Sequence, residues 1–325
     1  MTLLLKEADV RALLTMTIAL EAVEESLRRQ GSGELSLHPR RRLKLPDNAL
    51  LHYMAAGDTV GGFIGMKLYT SVRGLVRFLV PLFRSATGEM AALIEADALG
   101  QLRTGAATGV ATKYLANANA RIAGIIGTGY QARTQLEAVA AVRKLERVRA
   151  FGRDPERRAQ FCREMGPRIG VEVEPVDSGE KAVRGADIVV TATSALKIVL
   201  EGAWLSPGAH VNAIGANWAQ KRELDDAAVS RADVIAVDSI EQAKMEAGDL
   251  ILSFANVASR WDAVRELGGI VAGKIPGRIS ANQITLFKSN GIATWDLAVG
   301  VRVYELAVAR GMGHSIPLWD APGAQ

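Results

Sequence analysis

The sharpest chemical signal in the chain is a glycine-rich turn. Residues 121–132 read RIAGIIGTGYQA, an apolar run entering Gly127-x-Gly129-x-x-Ala132 and then a helix beginning near Gln131. At this spacing Gly127 permits a tight turn, Gly129 lets the backbone approach a pyrophosphate, and Ala132 allows close helix packing. Tyr130 and Gln131 stand at the helix start, where unpaired N–H groups and the helix dipole attract phosphate. The motif marks a dinucleotide site when a strand precedes it, a helix follows, and a second strand lies about 20 residues on. The run 148–151 supplies that second strand and ends in Gly152-Arg153-Asp154-Pro155. An acidic residue there holds the ribose hydroxyls of NAD, whereas an arginine accommodates the 2′-phosphate of NADP. Arg153 favours NADP. Asp154 keeps NAD open, or merely caps the next helix.

Metal and thiol chemistry find little support. Cys162 is the only cysteine, so no intrachain disulfide or multi-cysteine metal site can form. His38, His52, His210 and His314 lie far apart without ligand spacing, and no metal is expected. Lys and Arg number 39 against 35 Asp and Glu, and the resulting +4 is spread along the chain except at Arg40, Arg41 and Arg42. With aromatic residues at only 5%, stacking platforms are scarce, so no nucleic-acid partner is expected. No window is apolar enough for a membrane span, and the charged N-terminal stretch is unlike a secretory signal; a soluble cytoplasmic protein is expected.

The elements that must position these groups fall into two organisations. At 325 residues the chain is about twice the usual size of a domain. Residues 17–30 repeat apolar positions at helical spacing and stop at Gly31. The short runs 49–54, 62–69 and 74–83, separated by turn residues, suggest an antiparallel sheet, and a small-residue helix spans 96–115. From 121 onward the apolar runs 122–126, 148–151, 171–176, 187–192, 210–214 and 234–237 alternate with helical segments, the pattern of a parallel sheet covered on both faces. A last long helix covers 294–310.

Five separated stretches, in order, make the chain resemble the ornithine cyclodeaminase and μ-crystallin family: Pro39-Arg-Arg41, Gly65-Met-Lys67, Leu102-Arg103-Thr104-Gly-Ala-Ala, the Gly127 turn, and Asn212-Ala-Ile-Gly-Ala-Asn217 leading to Glu223-Leu-Asp. The resemblance implies an α/β protein: a Rossmann-type doubly wound parallel sheet over 119–293, and an α+β substrate and dimerisation domain made of 1–118 with 294–325. It implies a homodimer, a nicotinamide cofactor, and chemistry at a C=N carbon beside a carboxylate. Arg41 and Arg103 match the family's carboxylate-binding positions, and Lys67 matches its catalytic lysine. Thr104, Thr193, Ser194 and the Ser289–Gly291 segment carry over as cofactor contacts. Asp296 fits an acidic position on the last helix, or is a carboxylate favoured by the helix dipole.

Each residue also has an ordinary reading. An arginine run is usually a solvated face or a strand edge, and a lysine between Met66 and Leu68 is usually exposed. Arg103, among Gly100, Thr104, Gly105, Ala106 and Ala107, is the least ordinary of the three. Two departures carry information. Asn217 stands where cyclodeaminases and family alanine dehydrogenases carry an aspartate, and an asparagine cannot act as a general base. His52 replaces a glutamate, and either titrates near neutral pH or fills a polar slot. The implied reaction is reduction of an α-imino acid, a small anionic substrate such as a pyrroline- or piperideine-2-carboxylate, with NADP(H) favoured and NAD(H) the alternative. Ornithine cyclodeamination, amino-acid dehydrogenation and non-catalytic NADP-dependent storage of a small ligand are the competing readings.

Overall fold

The computed structural model describes residues 1–318, so 319–325, including Pro322, lie outside the described residues. The chain divides into two compact units, Met1–Arg103 with Ile292–Gln325, and Thr104–Gly291. The first division falls inside a helix, where 118/119 was expected, and the second two residues before the expected 293/294.

The first unit opens with β1 (Thr2–Leu5), α1 (Glu7–Leu13) and α2 (Met16–Ser32). Thr15 caps α2 by accepting from the Ile18 N–H at 3.4 Å, and Gly33 ends it in the left-handed region at φ 80°. That conformation suits glycine because it has no Cβ. Strands β2 (Leu35–Lys44), β3 (Leu50–Asp58), β4 (Phe63–Val72), β5 (Leu75–Arg84) and β6 (Met90–Glu95) follow as antiparallel neighbours. Helix α3 (Asp97–Leu115) comes next, rich in the small residues its sequence shows, and carries the chain across the division.

In the second unit, strands and helices alternate: β7 (Ile122–Ile126), α4 (Tyr130–Val142), β8 (Arg147–Phe151), α5 (Pro155–Ile169), β9 (Val173–Pro175), α6 (Gly179–Val183), β10 (Ile188–Thr191) and β11 (His210–Ala213). They continue as α7 (Asp226–Ser230), β12 (Val234–Val237), α8 (Ile240–Glu246), α9 (Gly248–Ser253), β13 (Arg265–Glu266), α10 (Leu267–Val271) and β14 (Thr285–Lys288). All eight strands are parallel, in the order β13-β12-β14-β11-β10-β7-β8-β9. Chain order reverses between β7 and β10, so ligands are expected outside the carboxyl ends of those two strands. Both faces are apolar, with Ile125, Val148 and Phe161 in one buried cluster and Val189, Val211 and Leu286 in the other. Strand β14 was not anticipated: it is the last strand of this unit yet sits between β11 and β12.

The chain then returns to the first unit through α11 (Ala293–Arg310) and β15 (His314–Ile316). There the sheet order is β15-β1-β6-β5-β4-β3-β2, with β1 and β6 parallel. Trp295, Leu297, Val299 and Val303 of α11 are buried, and the helix packs against α2 and the β2–β5 strands.

Candidate functional site

Lys67 lies in the middle of β4, opposite Met54 of β3. It is not the exposed lysine that its alternating neighbours suggest, since it is only 4% exposed. Its ammonium reaches Asp296 Oδ1 at 3.0 Å and stands 4.9 Å above the Phe78 ring. Arg103 of α3 donates from Nε to the same Asp296 oxygen, also at 3.0 Å. Burial and the Arg103 guanidinium push the Lys67 ammonium down to about 8, while Asp296 opposes that shift. A glycine makes room for this ammonium: a Cβ at Gly100 would stand 2.8 Å from Lys67 Nζ. Two buried atoms of the cluster, Arg103 Nη1 and Asp296 Oδ2, receive no hydrogen-bond partner among the described residues. A buried charged group in that state is destabilising unless a ligand supplies the partner.

Register separates the arginines of β2. A bulge between His38 and Arg41 sets Arg41 opposite Tyr53 and Arg42 opposite His52. Tyr53 and Arg41 are exposed, whereas His52 and Arg40 are buried. Successive strand side chains face opposite ways, so the expected carboxylate arginine, Arg41, points away from Lys67, and Arg40 takes the interior position. Arg40 bonds to the Met54 sulfur at 3.8 Å, and its charge acts on both Lys67 and His52. Pro39 is tolerated beside it because β2 is an edge strand. If Arg40 is the residue that meets substrate, Arg40→Ala should raise KM for an imino acid by about 10-fold or more, the worth of one charged hydrogen bond. Arg41→Ala should leave it within about twofold; steady-state kinetics on both variants decide, and equal effects would refute the register argument.

His52 stacks on Tyr69, with ring centroids 4.2 Å apart and planes 6° from parallel. Burial, then Arg42 and Arg40, push its imidazolium down to about 4. Of the two readings of His52, this shift goes against a titrating acid near neutral pH and with the polar slot. Its Nδ1 is buried without a hydrogen-bond partner among the described residues.

The second unit holds a cleft of about 990 Å³ lined by Gly127, Gly129, Gly152, Arg153, Thr193 and Ser194, among others. Gly127 follows β7 at φ 112°, and a Cβ there would overlap the Ala192 carbonyl. Gly129 is the N-cap of α4, where a Cβ would meet nothing within 4 Å, so its backbone faces open space. Ala132 is fully buried, and Tyr130 is exposed at the mouth of the turn. Gln131 Oε1 is buried and receives no hydrogen bond among the described residues. Arg153 is exposed on the cleft wall. Asp154 Oδ1 instead accepts from the Glu156 and Arg157 N–H groups at 3.0 and 3.1 Å, the helix-cap alternative for this residue. A donor-lined, glycine-walled cleft at a helix N-terminus fits a dinucleotide.

Buried carboxylates shape the loops around the strand ends. Glu223 Oε1 accepts from Thr193 N and Oγ1 at 2.8 and 2.7 Å; its Oε2 accepts from Thr191 Oγ1 and Gly215 N, both at 2.8 Å. Asp249 caps the Glu223 and Leu224 N–H groups and pairs with fully buried Lys288 at 3.0 Å. Lys288 also donates to the Ala216 carbonyl at 2.5 Å, beside half-buried Asn217. Asp238 Oδ2 gathers Ser289 Oγ and the Asn290 and Gly291 N–H groups. Ser289 and Gly291, read as cofactor contacts, thus have their donors turned onto a carboxylate. Thr104, next to Arg103 on α3, is half-buried. Asp238, Asp249 and Lys288 escaped the sequence reading, and a lone charge closing an apolar strand, as Lys288 closes Thr-Leu-Phe-Lys, is the signal that could have found them.

A doubly wound sheet, a glycine-walled cleft at its switch point and a buried lysine–carboxylate–arginine cluster define an α/β dinucleotide-binding protein with an ionisable site in its other unit. The chain matches the Ornithine cyclodeaminase/mu-crystallin family model over residues 1–311. It is 37% identical over 261 residues to Delta(1)-pyrroline-2-carboxylate reductase of Bacillus cereus, covering 78% of this chain and 80% of that protein. Over 326 residues it is 33% identical to alanine dehydrogenase of Archaeoglobus fulgidus, covering 97% and 98%. Its fold is similar to Thermococcus litoralis Delta(1)-pyrroline-2-carboxylate reductase solved in complex with NADH and L-proline, with TM-score 0.92, 34% identity and coverage of 97% and 100%. The chain belongs to the ornithine cyclodeaminase/μ-crystallin family. Among the described residues no helix is long and apolar enough to cross a membrane.

Proposed function

We propose that this protein is an NAD(P)H-dependent reductase of α-imino acids, acting on a cyclic ketimine such as pyrroline- or piperideine-2-carboxylate. The observation that carries the reading is Lys67: a buried ammonium lowered to about 8, beside an arginine with a donor to spare. Arg103, with Arg40, binds the substrate carboxylate, since a guanidinium matches it with two hydrogen bonds. Lys67 donates a proton to the imine nitrogen, and an acid with affinity near the working pH does so efficiently. Gly127, Gly129 and the α4 N-terminus hold the pyrophosphate of the cofactor, and Ala132 lets α4 come close. When bound, the reduced nicotinamide supplies the hydrogen and electron pair added at carbon. Asn217 holds a water or the substrate nitrogen but cannot take a proton from it, which disfavours cyclodeamination.

NADP(H) is the favoured cofactor, because Arg153 faces the cleft while the Asp154 carboxylate is engaged in its cap. The outer face of the first sheet presents Tyr53, Ile64, Met66 and Leu68 beside Leu43, an apolar surface suited to a second copy of the chain in a homodimer; sedimentation would show a monomer if this is wrong. A cytoplasmic location accords with the free thiol of Cys162.

The deciding assay is NADPH oxidation with pyrroline-2-carboxylate, piperideine-2-carboxylate, or a 2-oxo acid plus amine. Failure with every imine refutes the reading. The full-length likeness to an alanine dehydrogenase makes the acyclic imine of a 2-oxo acid and ammonia a second substrate to compare. Ornithine and NAD without reductant, followed by an ammonia assay, separates the cyclodeaminase.

A further inference from the structure

Asp296 lies in the first turn of α11, fully buried, where the helix dipole makes a carboxylate favourable. The dipole does not account for its surroundings. One oxygen, Oδ1, is shared by Lys67 Nζ and Arg103 Nε, each at 3.0 Å. The other, Oδ2, is buried and receives no hydrogen bond among the described residues. A carboxylate placed only to balance two cations would use both oxygens, as a bidentate arginine pair does. Here one oxygen is held back, in a cluster where Arg103 Nη1 is also without a partner.

We propose that Asp296 is a catalytic residue whose oxygens divide the work: Oδ1 keeps the proton on Lys67 until substrate arrives, and Oδ2 accepts the N–H of the protonated substrate nitrogen. This rests on the imine-reductase reading. In the proton step a Lys67 N–H bond breaks, and the imine nitrogen lone pair forms the new N–H bond. The charge moves from lysine to iminium, Lys67 is left neutral, and a solvent proton restores it. Asp296 neither gives nor takes the proton in this step. Its free oxygen steadies the positive charge that appears on nitrogen, while Arg103 and Arg40 bind the carboxylate.

The groups facing Lys67 are Arg103 from α3, Arg40 from β2 and Asp296 from α11, with uncharged Met54 and Phe78 from β3 and β5. Burial, Arg103 and Arg40 oppose its proton, and Asp296 alone retains it. In the native enzyme kcat/KM should therefore fall as pH rises through about 8. Asp296→Asn should move that alkaline limb down by about one pH unit or more. Loss relative to native would then be about fivefold greater, or more, at pH 8 than at pH 6. Asp296→Glu should restore part of the limb. A purely structural residue would lower activity equally at all pH values, and that result would overturn the proposal.

A binding measurement tests Oδ2 without turnover. Pyrrole-2-carboxylate offers a ring N–H where furan-2-carboxylate offers only an oxygen. Titrated into the native holoenzyme, the pyrrole should bind about tenfold tighter, and Asp296→Asn should abolish the difference. Equal binding to the native protein would overturn the proposal even if Asp296→Asn fails to fold. Absence of imine turnover by the native enzyme would instead strike the functional reading. NADPH binding, which depends on the Gly127 turn, serves as the control for folding.

Discussion

Replacing Lys67 by alanine is expected to lower imine turnover by about two orders of magnitude or more, the usual worth of a positioned general acid. NADPH affinity should stay within about twofold, because Lys67 is not among the residues that line the glycine cleft. The ammonium is nearly fully buried and shares Asp296 Oδ1 with Arg103, so no solvent lysine can take its place. Removing it leaves Asp296 facing a single cation and opens a cavity under Phe78. Some loss of thermal stability is therefore expected, and it must be separated from lost chemistry by measuring turnover well below the melting temperature. Lys67→Met keeps the volume without the proton and should be equally inactive. Single-turnover NADPH oxidation and cofactor titration on both variants make the comparison. Turnover near the native rate would remove Lys67 from the mechanism.

The second large effect is expected at Gly127. Gly127→Ala should weaken NADPH binding by about 100-fold, because it combines two penalties. The residue sits at φ 112°, a region costly for any side chain, by about 1–3 kcal/mol. Its added Cβ would overlap the Ala192 carbonyl, forcing apart the ends of β7 and β10, the place where a ligand is expected in such a sheet. Gly129→Ala makes an instructive contrast. Gly129 has an ordinary φ of −84° and open space around a new Cβ, so its variant should fold normally and still lose affinity by crowding the pyrophosphate. Fluorescence titration with NADPH, alongside melting curves, distinguishes the two. Native-like affinity in both variants would show that this cleft is not the dinucleotide site.

Short-range order determined much of what was legible. The strand, glycine turn and helix at 122–142 announced themselves because each signal arises within a few residues of the next. The alternating apolar runs of the second unit are local in the same sense, as is the helix expected to stop at Gly31, whose glycine cap is Gly33. Lys67 and Arg103 were singled out by likeness to a family, and the structure places both on one carboxylate.

Pairing across the chain was decided only by tertiary structure. A single extra residue in β2, between His38 and Arg41, chose Arg40 over Arg41 for the interior, and strand alternation turns a one-residue slip into a change of face. Strand β14 escaped notice because it ends in a lysine, a charge tolerated there because Asp249 meets it at 3.0 Å and the Ala216 carbonyl accepts from it. His52 was left between a titrating acid and a polar slot because the burial that lowers its proton affinity, and the Arg42 and Arg40 charges that add to it, come from packing and from the neighbouring strand. Asp296 is 229 residues from Lys67, and nothing in either neighbourhood names the other. Composition and periodicity therefore determined the class of architecture and the glycine turn, whose signals lie close in sequence. The proton affinity of the lysine and the choice of arginine were left to the packed structure, because desolvation and charge act through space.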